Sequence, residues 1–189
     1  MKHLNAILLA TLVVLMFSAS CKKDEPDDPI IPHEEEVITT LRYSLIHDTV
    51  GIPVVLSFQD LDGDGGNPPV VTADTLRAHT TYSGSLTLLN ELETPAENIT
   101  EEIEEEASDH QFFFQSTLSN LIVEYDDADE DGYPVGLSTT LTTGSPGSGT
   151  ITIILRHEPE KDAAGVASGD IANAGGETDI EVTFNVDVK

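Results

Sequence analysis

The chain contains very little of several residue types, and each shortage excludes a class of protein. It has one cysteine and no tryptophan among 189 residues. One cysteine cannot form an intramolecular disulfide or a thiolate metal cluster, so the core must be held by packing. The lack of tryptophan argues against a sugar-binding platform of stacked rings. Lysine and arginine number 8 against 35 acidic residues, and this formal net charge of −27 excludes nucleic acid as a partner.

Catalytic sequence motifs are also missing. The chain contains no G-x-S-x-G elbow, H-E-x-x-H helix, Walker loop or dinucleotide fingerprint. We therefore predict that the protein is not an enzyme. A hydrolase is kept as the last of three functional hypotheses, after the two surface-protein hypotheses given below. It is kept because a pair of glycosidase-type carboxylates leaves no signature in the sequence.

Residues 1–20 have the three parts of an export signal. Lys2 gives a positive start, and the apolar run 6–17 that follows is too short to span a bilayer. Small residues at 18–20 then precede Cys21. Small residues before a cysteine, at the end of an apolar run, resemble the lipobox of bacterial lipoproteins. The resemblance implies cleavage before Cys21, a thioether-linked lipid on its sulfur and an acylated amino terminus.

The residues after Cys21 predict a localisation signal followed by a tether. Residues 22–25, Lys-Lys-Asp-Glu, resemble the signal that sends lipoproteins of Bacteroidota-type bacteria to the outer face of the outer membrane. Residues 26–32 are rich in proline and acid, which predicts a stiff, extended segment. We therefore expect a signal peptide over residues 1–20, a lipidated tether over 21–35 and one folded domain over 36–189.

From residue 36 onward the dominant sequence period is two, which indicates strands with one buried and one exposed face. The clearest alternating apolar positions are Ile180, Val182, Phe184, Val186 and Val188. Similar segments are residues 37–45, 54–59, 81–88, 111–117, 121–125, 135–141 and 151–155. The Glu-rich segment 99–106 suits a helix or a strand, and we predict a strand because its neighbours are strands. About eight or nine short strands predict an all-β fold, an antiparallel β-sandwich of immunoglobulin or fibronectin type.

Two acidic loops, residues 60–65 and 127–132, follow the pattern D-x-D-x-D-G that opens a calcium-binding EF-hand loop. The closing glutamate is missing from both, because Val71 and Ser138 occupy the twelfth positions. We predict calcium as a cofactor, with the remaining oxygen ligands supplied from nearby. The predicted ligands are Asp60, Asp62, Asp64, Asn67, Asp126, Asp127, Asp129 and Asp131. The alternative is two solvated turns, since turns favour aspartate and glycine.

The histidines form no metal motif, because no two are spaced i,i+2 or i,i+4. We expect His33, His47, His79, His110 and His157 at the surface, unless the fold brings some of them together.

A long connection, residues 157–176, separates the last two predicted strands. Loops of this length without regular structure are usually functional or disordered. We predict a ligand or partner surface here. Its candidate residues are His157, Asp162, Asp170, Asn173 and Glu177. Residues 175–177 resemble a bulge that leads into the final strand.

The chain also resembles a family of small surface lipoproteins from flavobacteria and related Bacteroidota. The resemblance lies in residues 60–65, 82–91, 110–114 and 169–180. Members of this family are sometimes labelled periplasmic-binding-fold proteins, and the resemblance implies no activity. We predict an outer-membrane lipoprotein that faces the cell exterior and acts as a ligand-binding or transporter-accessory module. The alternative is a structural or adhesive surface protein whose loops calcium makes rigid.

Overall fold

The computed structural model describes residues 36–47, 51–63 and 66–189. This part of the chain holds nine strands and one short α-helix, α1, over Ile99–Glu105. The strands are β1 (Thr40–Ile46), β2 (Val54–Gln59), β3 (Val70–Ala73), β4 (Thr81–Leu89), β5 (His110–Ser116), β6 (Ile122–Tyr125), β7 (Ser138–Thr142), β8 (Gly147–His157) and β9 (Glu177–Val188). No helix among the described residues is long and apolar enough to cross a bilayer. The predicted signal peptide, Cys21, the tether and His33 lie outside the described residues.

The strands form two antiparallel sheets, which confirms the predicted all-β sandwich. The larger sheet has six strands in the order β3-β2-β1-β4-β7-β6, and the smaller has three in the order β5-β8-β9. The sheets meet where the backbone of Leu76, after β3, pairs in parallel with Val188 at the end of β9. The immunoglobulin or fibronectin topology stays a prediction.

The core lies between the sheets and follows the predicted two-residue period. In β9 every second residue from Ile180 to Val188 is buried, and the residues between them are exposed or half-buried. Across the sandwich, β1 buries Leu41, Tyr43 and Leu45 completely. Alternation identifies these strands because each has one face on the core and one toward water.

Residues 99–105 form the helix α1, so the strand predicted over 99–106 is wrong. The helix buries Ile99 and Ile103, four residues apart on one face, and packs against β4. The hydroxyl of Thr100 reinforces this contact, because it accepts from the backbone nitrogen of Leu88 at 2.8 Å and lies 3.2 Å from its carbonyl oxygen. The i,i+4 apolar pair and the high helix propensity of glutamate are compatible with a helix, and burial of both isoleucines against β4 decides for it over a strand.

Two boundaries of the larger sheet also differ from the sequence prediction. β3 is a short edge strand that no alternation revealed, because three of its four residues are exposed. Val135 and Leu137 are buried as predicted, but they precede β7 rather than belong to it.

The connection from β8 to β9 is folded into two short 3₁₀ turns, Val166–Ser168 and Ile171–Asn173. Val166 and Ala174 are buried against Phe113 and Ile154, which form a second, small core on the outer face of the smaller sheet. Gln111 of β5 is fully buried and donates from Nε2 to the carbonyl oxygen of Val166 at 2.9 Å. The connection therefore acts as a cover that packs on β5 and β8.

Candidate metal centre

Four ionisable side chains converge at one end of the smaller sheet: Glu36, His110, His157 and Asp179. One potential ligand atom from each lies within 4.8 Å of each of the others. The side chains are exposed by only 6%, 0%, 10% and 1%, respectively. Within the part of the chain that the structure describes, this is the only such group of three or more histidine, cysteine or acidic side chains.

Neighbouring strands of the smaller sheet position three of these residues. His110 begins β5 and pairs directly with His157 at the end of β8. Their imidazole rings stack with centroids 4.8 Å apart and an angle of 13° between the planes. The register between β8 and β9 shifts between Leu155 and Arg156, which pair with Ile180 and Thr178. Asp179 lies between these two partners as an extra residue of β9. A β-bulge redirects a side chain, and this one brings Asp179 to the two histidines.

The fourth residue, Glu36, comes from the segment that precedes β1. Its Oε1 lies 2.8 Å from Nε2 of His110. Three residues later the segment is fixed to the larger sheet, because both the backbone nitrogen and Oγ1 of Thr39 donate to the carbonyl oxygen of Leu89 at 3.0 Å. Glu36 therefore reaches the smaller sheet from a segment that the larger sheet holds.

The orientation of His110 is typical of a metal ligand. Its Nδ1 lies 3.1 Å from the carbonyl oxygen of Glu106 at the end of α1. A carbonyl can only accept, so Nδ1 carries a proton and Nε2 holds the lone pair of the neutral ring. A backbone carbonyl fixes metal-bound histidines in this way. Despite its 2.8 Å approach to Glu36, Nε2 has no well-aligned hydrogen bond, and the buried Oε2 of Glu36 has none either.

The electrostatics of the site favour a charged Glu36–His110 pair when no metal is bound. Burial alone would lower the pKa of His110, but the carboxylate of Glu36 and the carbonyl of Glu106 outweigh burial and raise it. Burial would likewise raise the pKa of Glu36, and the contact with His110 helps to hold it below its usual value. A metal ion on Nε2 would replace the proton that this nitrogen holds in the charged pair.

Two imidazoles and two carboxylates suit a zinc-class ion. Bonds of about 2.0–2.2 Å in a tetrahedron place neighbouring ligand atoms about 3.3–3.6 Å apart. The 2.8 Å between Glu36 and His110 and the 4.0 Å between Nδ1 of His157 and Oδ1 of Asp179 lie on either side of that spacing. The two stacked imidazole rings would have to turn out of their parallel arrangement for both to bind one ion, because each ring binds through a lone pair in its own plane. Calcium fits poorly, because it requires six to eight oxygen ligands.

The first acidic loop is described except for residues 64 and 65, so Asp64 lies outside the described residues. Oδ2 of Asp62 accepts from the backbone nitrogen and Nδ2 of Asn67 at 3.0 and 2.7 Å. Oδ1 of Asp60 accepts from the backbone nitrogen of Gly63 at 3.0 Å. These are the local contacts by which aspartate and asparagine stabilise turns. Calcium binding in this loop stays a prediction.

In the second acidic loop the aspartates are engaged with different protein donors. Asp127 accepts from the backbone nitrogens of Gly136 and Ser138 at 2.7 and 2.8 Å. Asp126 accepts from the hydroxyl of Thr140 at 2.7 Å. Asp131 is exposed at the loop tip, and its backbone nitrogen donates to Oδ1 of Asp129 at 3.1 Å.

A lysine supplies the positive charge beside Asp129. Nζ of Lys161 lies 2.8 Å from Oδ2 of Asp129, and both side chains are almost completely buried. The same ammonium donates to the carbonyl oxygen of Ala107 at 2.5 Å. The loop thus has an internal cation, and calcium binding there stays a prediction.

The five residues predicted to form a ligand or partner surface on the β8–β9 connection have different surroundings in the structure. His157 belongs to the candidate metal centre. Asp170 accepts from the backbone nitrogen of Ala172 at 3.0 Å, and Asn173 donates to the carbonyl oxygen of Ala164 at 2.8 Å, so both stabilise the cover. Asp162 and Glu177 are exposed. A ligand or partner surface here stays a prediction.

None of the four residues of the candidate metal centre was predicted as a metal ligand, and only His157 was named among the candidate site residues, as part of a ligand or partner surface. The expected surface location is wrong for His110 and His157, which are buried, whereas His79 is exposed and His47 is half-buried. Glu36 and Asp179 stood out in no motif. The one available signal was the position of the two histidines at the ends of predicted strands.

Comparison with known proteins identifies no relative from which a ligand could be inferred. The likeness to flavobacterial lipoproteins stays a prediction. The chain matches no family model, no curated protein and no solved structure.

Proposed function

We propose that this protein is a lipid-anchored surface module whose folded domain binds one divalent metal ion of the zinc class. The proposed ligands are Glu36, His110, His157 and Asp179. One observation carries the proposal: two imidazoles and two carboxylates from four remote segments meet in a group that is at least nine-tenths buried. Burying this many ionisable groups is costly unless their charges are balanced.

Charge balance favours a metal ion over a purely internal network. If both carboxylates of the site are ionised, two positive charges would balance them. Two imidazolium rings could supply them, but the rings are stacked 4.8 Å apart, and two buried cations at that distance repel one another. One divalent ion balances both carboxylates and leaves both imidazoles neutral, which is the form that binds metal.

Isothermal titration of the detergent-purified full chain with zinc chloride tests the proposal. We expect one zinc ion per chain and a melting temperature raised by a few degrees, because an ion that binds only the folded form stabilises it. The variant His110→Ala should weaken zinc binding by more than the roughly 10–100-fold that loss of an outer-shell partner costs. Calcium at the same concentration should have a smaller effect on the melt.

The matched control is His79→Asn, which removes an exposed histidine at a backbone position with φ of 51°. Asparagine tolerates that conformation, so folding should be preserved. Equal zinc affinity in His110→Ala and His79→Asn would exclude this site.

The lipobox resemblance of the sequence supports the anchor half of the proposal. Replacing Cys21 with serine should remove the only thiol that can be lipidated. We expect an unprocessed precursor that takes up no radioactive palmitate. Alanine at residues 23–25 should preserve the label but abolish protease accessibility on whole cells. Unchanged surface exposure in that triple variant would contradict the predicted localisation signal.

A further inference from the structure

We infer that the metal ion acts as a clasp that fastens the N-terminal segment, residues 36–39, to the smaller sheet. The inference rests on the proposed metal site and adds a role for the ion. Three ligands belong to the adjacent strands β5, β8 and β9. Only Glu36 lies outside the regular structure, before β1 begins at Thr40.

The segment has few other attachments near Glu36. Val37 is 52% exposed, whereas Ile38 packs against the main core. The next polar attachment is at Thr39, whose hydrogen bonds go to the larger sheet. A bond from Glu36 to an ion held by the smaller sheet would therefore connect the segment to both sheets.

The geometry at Glu36 indicates that the attachment is incomplete without an ion. Its Oε2 is buried and has no hydrogen-bond partner, and its Oε1 approaches His110 without good hydrogen-bond alignment. An ion between the two side chains would be coordinated by the carboxylate of Glu36 and by the lone pair on Nε2 of His110. The site supplies four protein ligands with almost no exposure, which is typical of structural zinc rather than catalytic zinc with an open position.

The position of the clasp along the chain gives it a consequence at the membrane. Glu36 follows the proposed lipid-bearing Cys21 by fifteen residues. The clasp would therefore close where the folded domain continues into its attachment to the membrane. Loss of the ion would release residues 36 and 37, which precede the core contact of Ile38, and cleavage there would separate the domain from its anchor. Metal occupancy would thereby control how firmly the domain is retained at the surface.

A spin label at Val37 tests the clasp in the detergent-purified full chain. With Cys21 lipidated, Val37→Cys gives the only free thiol. We expect zinc chloride to abolish the mobile component of the electron paramagnetic resonance spectrum, and EDTA to restore it. The matched label site is Val70→Cys, which is exposed on the edge strand β3 and should not respond to zinc.

Adding Glu36→Gln to the Val37→Cys variant tests the contribution of Glu36, the fourth ligand, separately from that of the three sheet ligands. Zinc should still bind the three sheet residues with lower affinity, but the label at residue 37 should stay mobile even when titration shows zinc bound. Glu181→Gln, an equal charge change at an exposed position of β9, should behave as the parent protein does. A mobile label in the zinc-bound parent would overturn the clasp and leave the metal site standing. Absence of zinc binding by titration would overturn both.

Discussion

Replacing Phe184 with alanine is expected to lower the free energy of unfolding by about 3–5 kcal/mol. Phe184 lies in β9 opposite Ile151 of β8 and has no exposed surface. The truncation removes buried apolar surface and leaves a cavity between two sheets that cannot fully collapse into it. Urea unfolding followed by circular dichroism measures the loss.

The neighbouring residue Thr183 provides the control. Its side chain is exposed and its Oγ1 lies 2.9 Å from Oγ1 of Thr152, a surface contact. Thr183→Ala should therefore cost well under ~1 kcal/mol. Equal urea midpoints for the two variants would contradict the register of β9.

Replacing Lys161 with alanine should cost a similar amount, about 3–5 kcal/mol, because it leaves a buried carboxylate without its cation. Nζ of Lys161 contacts Oδ2 of Asp129 at 2.8 Å, and the side chains are only 5% and 2% exposed. The substitution also removes a donor from the carbonyl oxygen of Ala107. Urea unfolding at neutral pH is the measurement.

The exposed pair Lys189–Asp187 is the matched control for the buried pair. Its atoms are 3.0 Å apart, but the side chains are 70% and 44% exposed. Surface pairs contribute little, so Lys189→Ala should cost less than ~1 kcal/mol. Equal losses in Lys161→Ala and Lys189→Ala would show that the Lys161 pair is not buried in solution.

The buried pair also predicts a pH dependence. Burial alone would raise the pKa of Asp129, but Lys161 and the backbone nitrogens of Tyr133 and Asp131 hold it below the usual value of 3.8. A lowered pKa stabilises the folded state above pH 3.8, and this stabilisation is lost as the pH falls through the lowered value. Without Lys161, the pKa of Asp129 should rise, because burial raises it and the largest opposing contact is gone. The Lys161→Ala variant should therefore unfold in acid at a higher pH than the parent protein.

The strands were largely predictable because their evidence is local. Ile180, Val182 and Phe184 alternate with polar residues, and a half-buried strand permits no other pattern. Segment 99–106 was ambiguous because Ile99 and Ile103 suit one face of a helix and also alternate positions of a strand. Burial against β4 decided between them, and that contact is invisible in the local sequence.

The candidate metal centre was not predictable for the same reason. His110 and His157 become neighbours only through the register of β5 with β8, which depends on pairing across 47 positions of the chain. Asp179 joins them because of a bulge in β9. The acidic loops show the opposite case. Their calcium-like spacing is visible in the local sequence and calcium binding stays a prediction, whereas the contact of Asp129 with a lysine 32 positions away left no local signal.

The wide separation of Glu36 and Asp179, 143 positions apart, has a consequence for folding kinetics. A zinc finger collects its ligands within a short stretch, so the ion can organise the chain early. Here the chain must first pay the loop-closure entropy of joining three strands and the segment before β1. If these segments come together late in folding, an ion at this site would bind after the rate-limiting step. It would slow unfolding and leave the folding rate nearly unchanged, so its contribution would be to the lifetime of the native state.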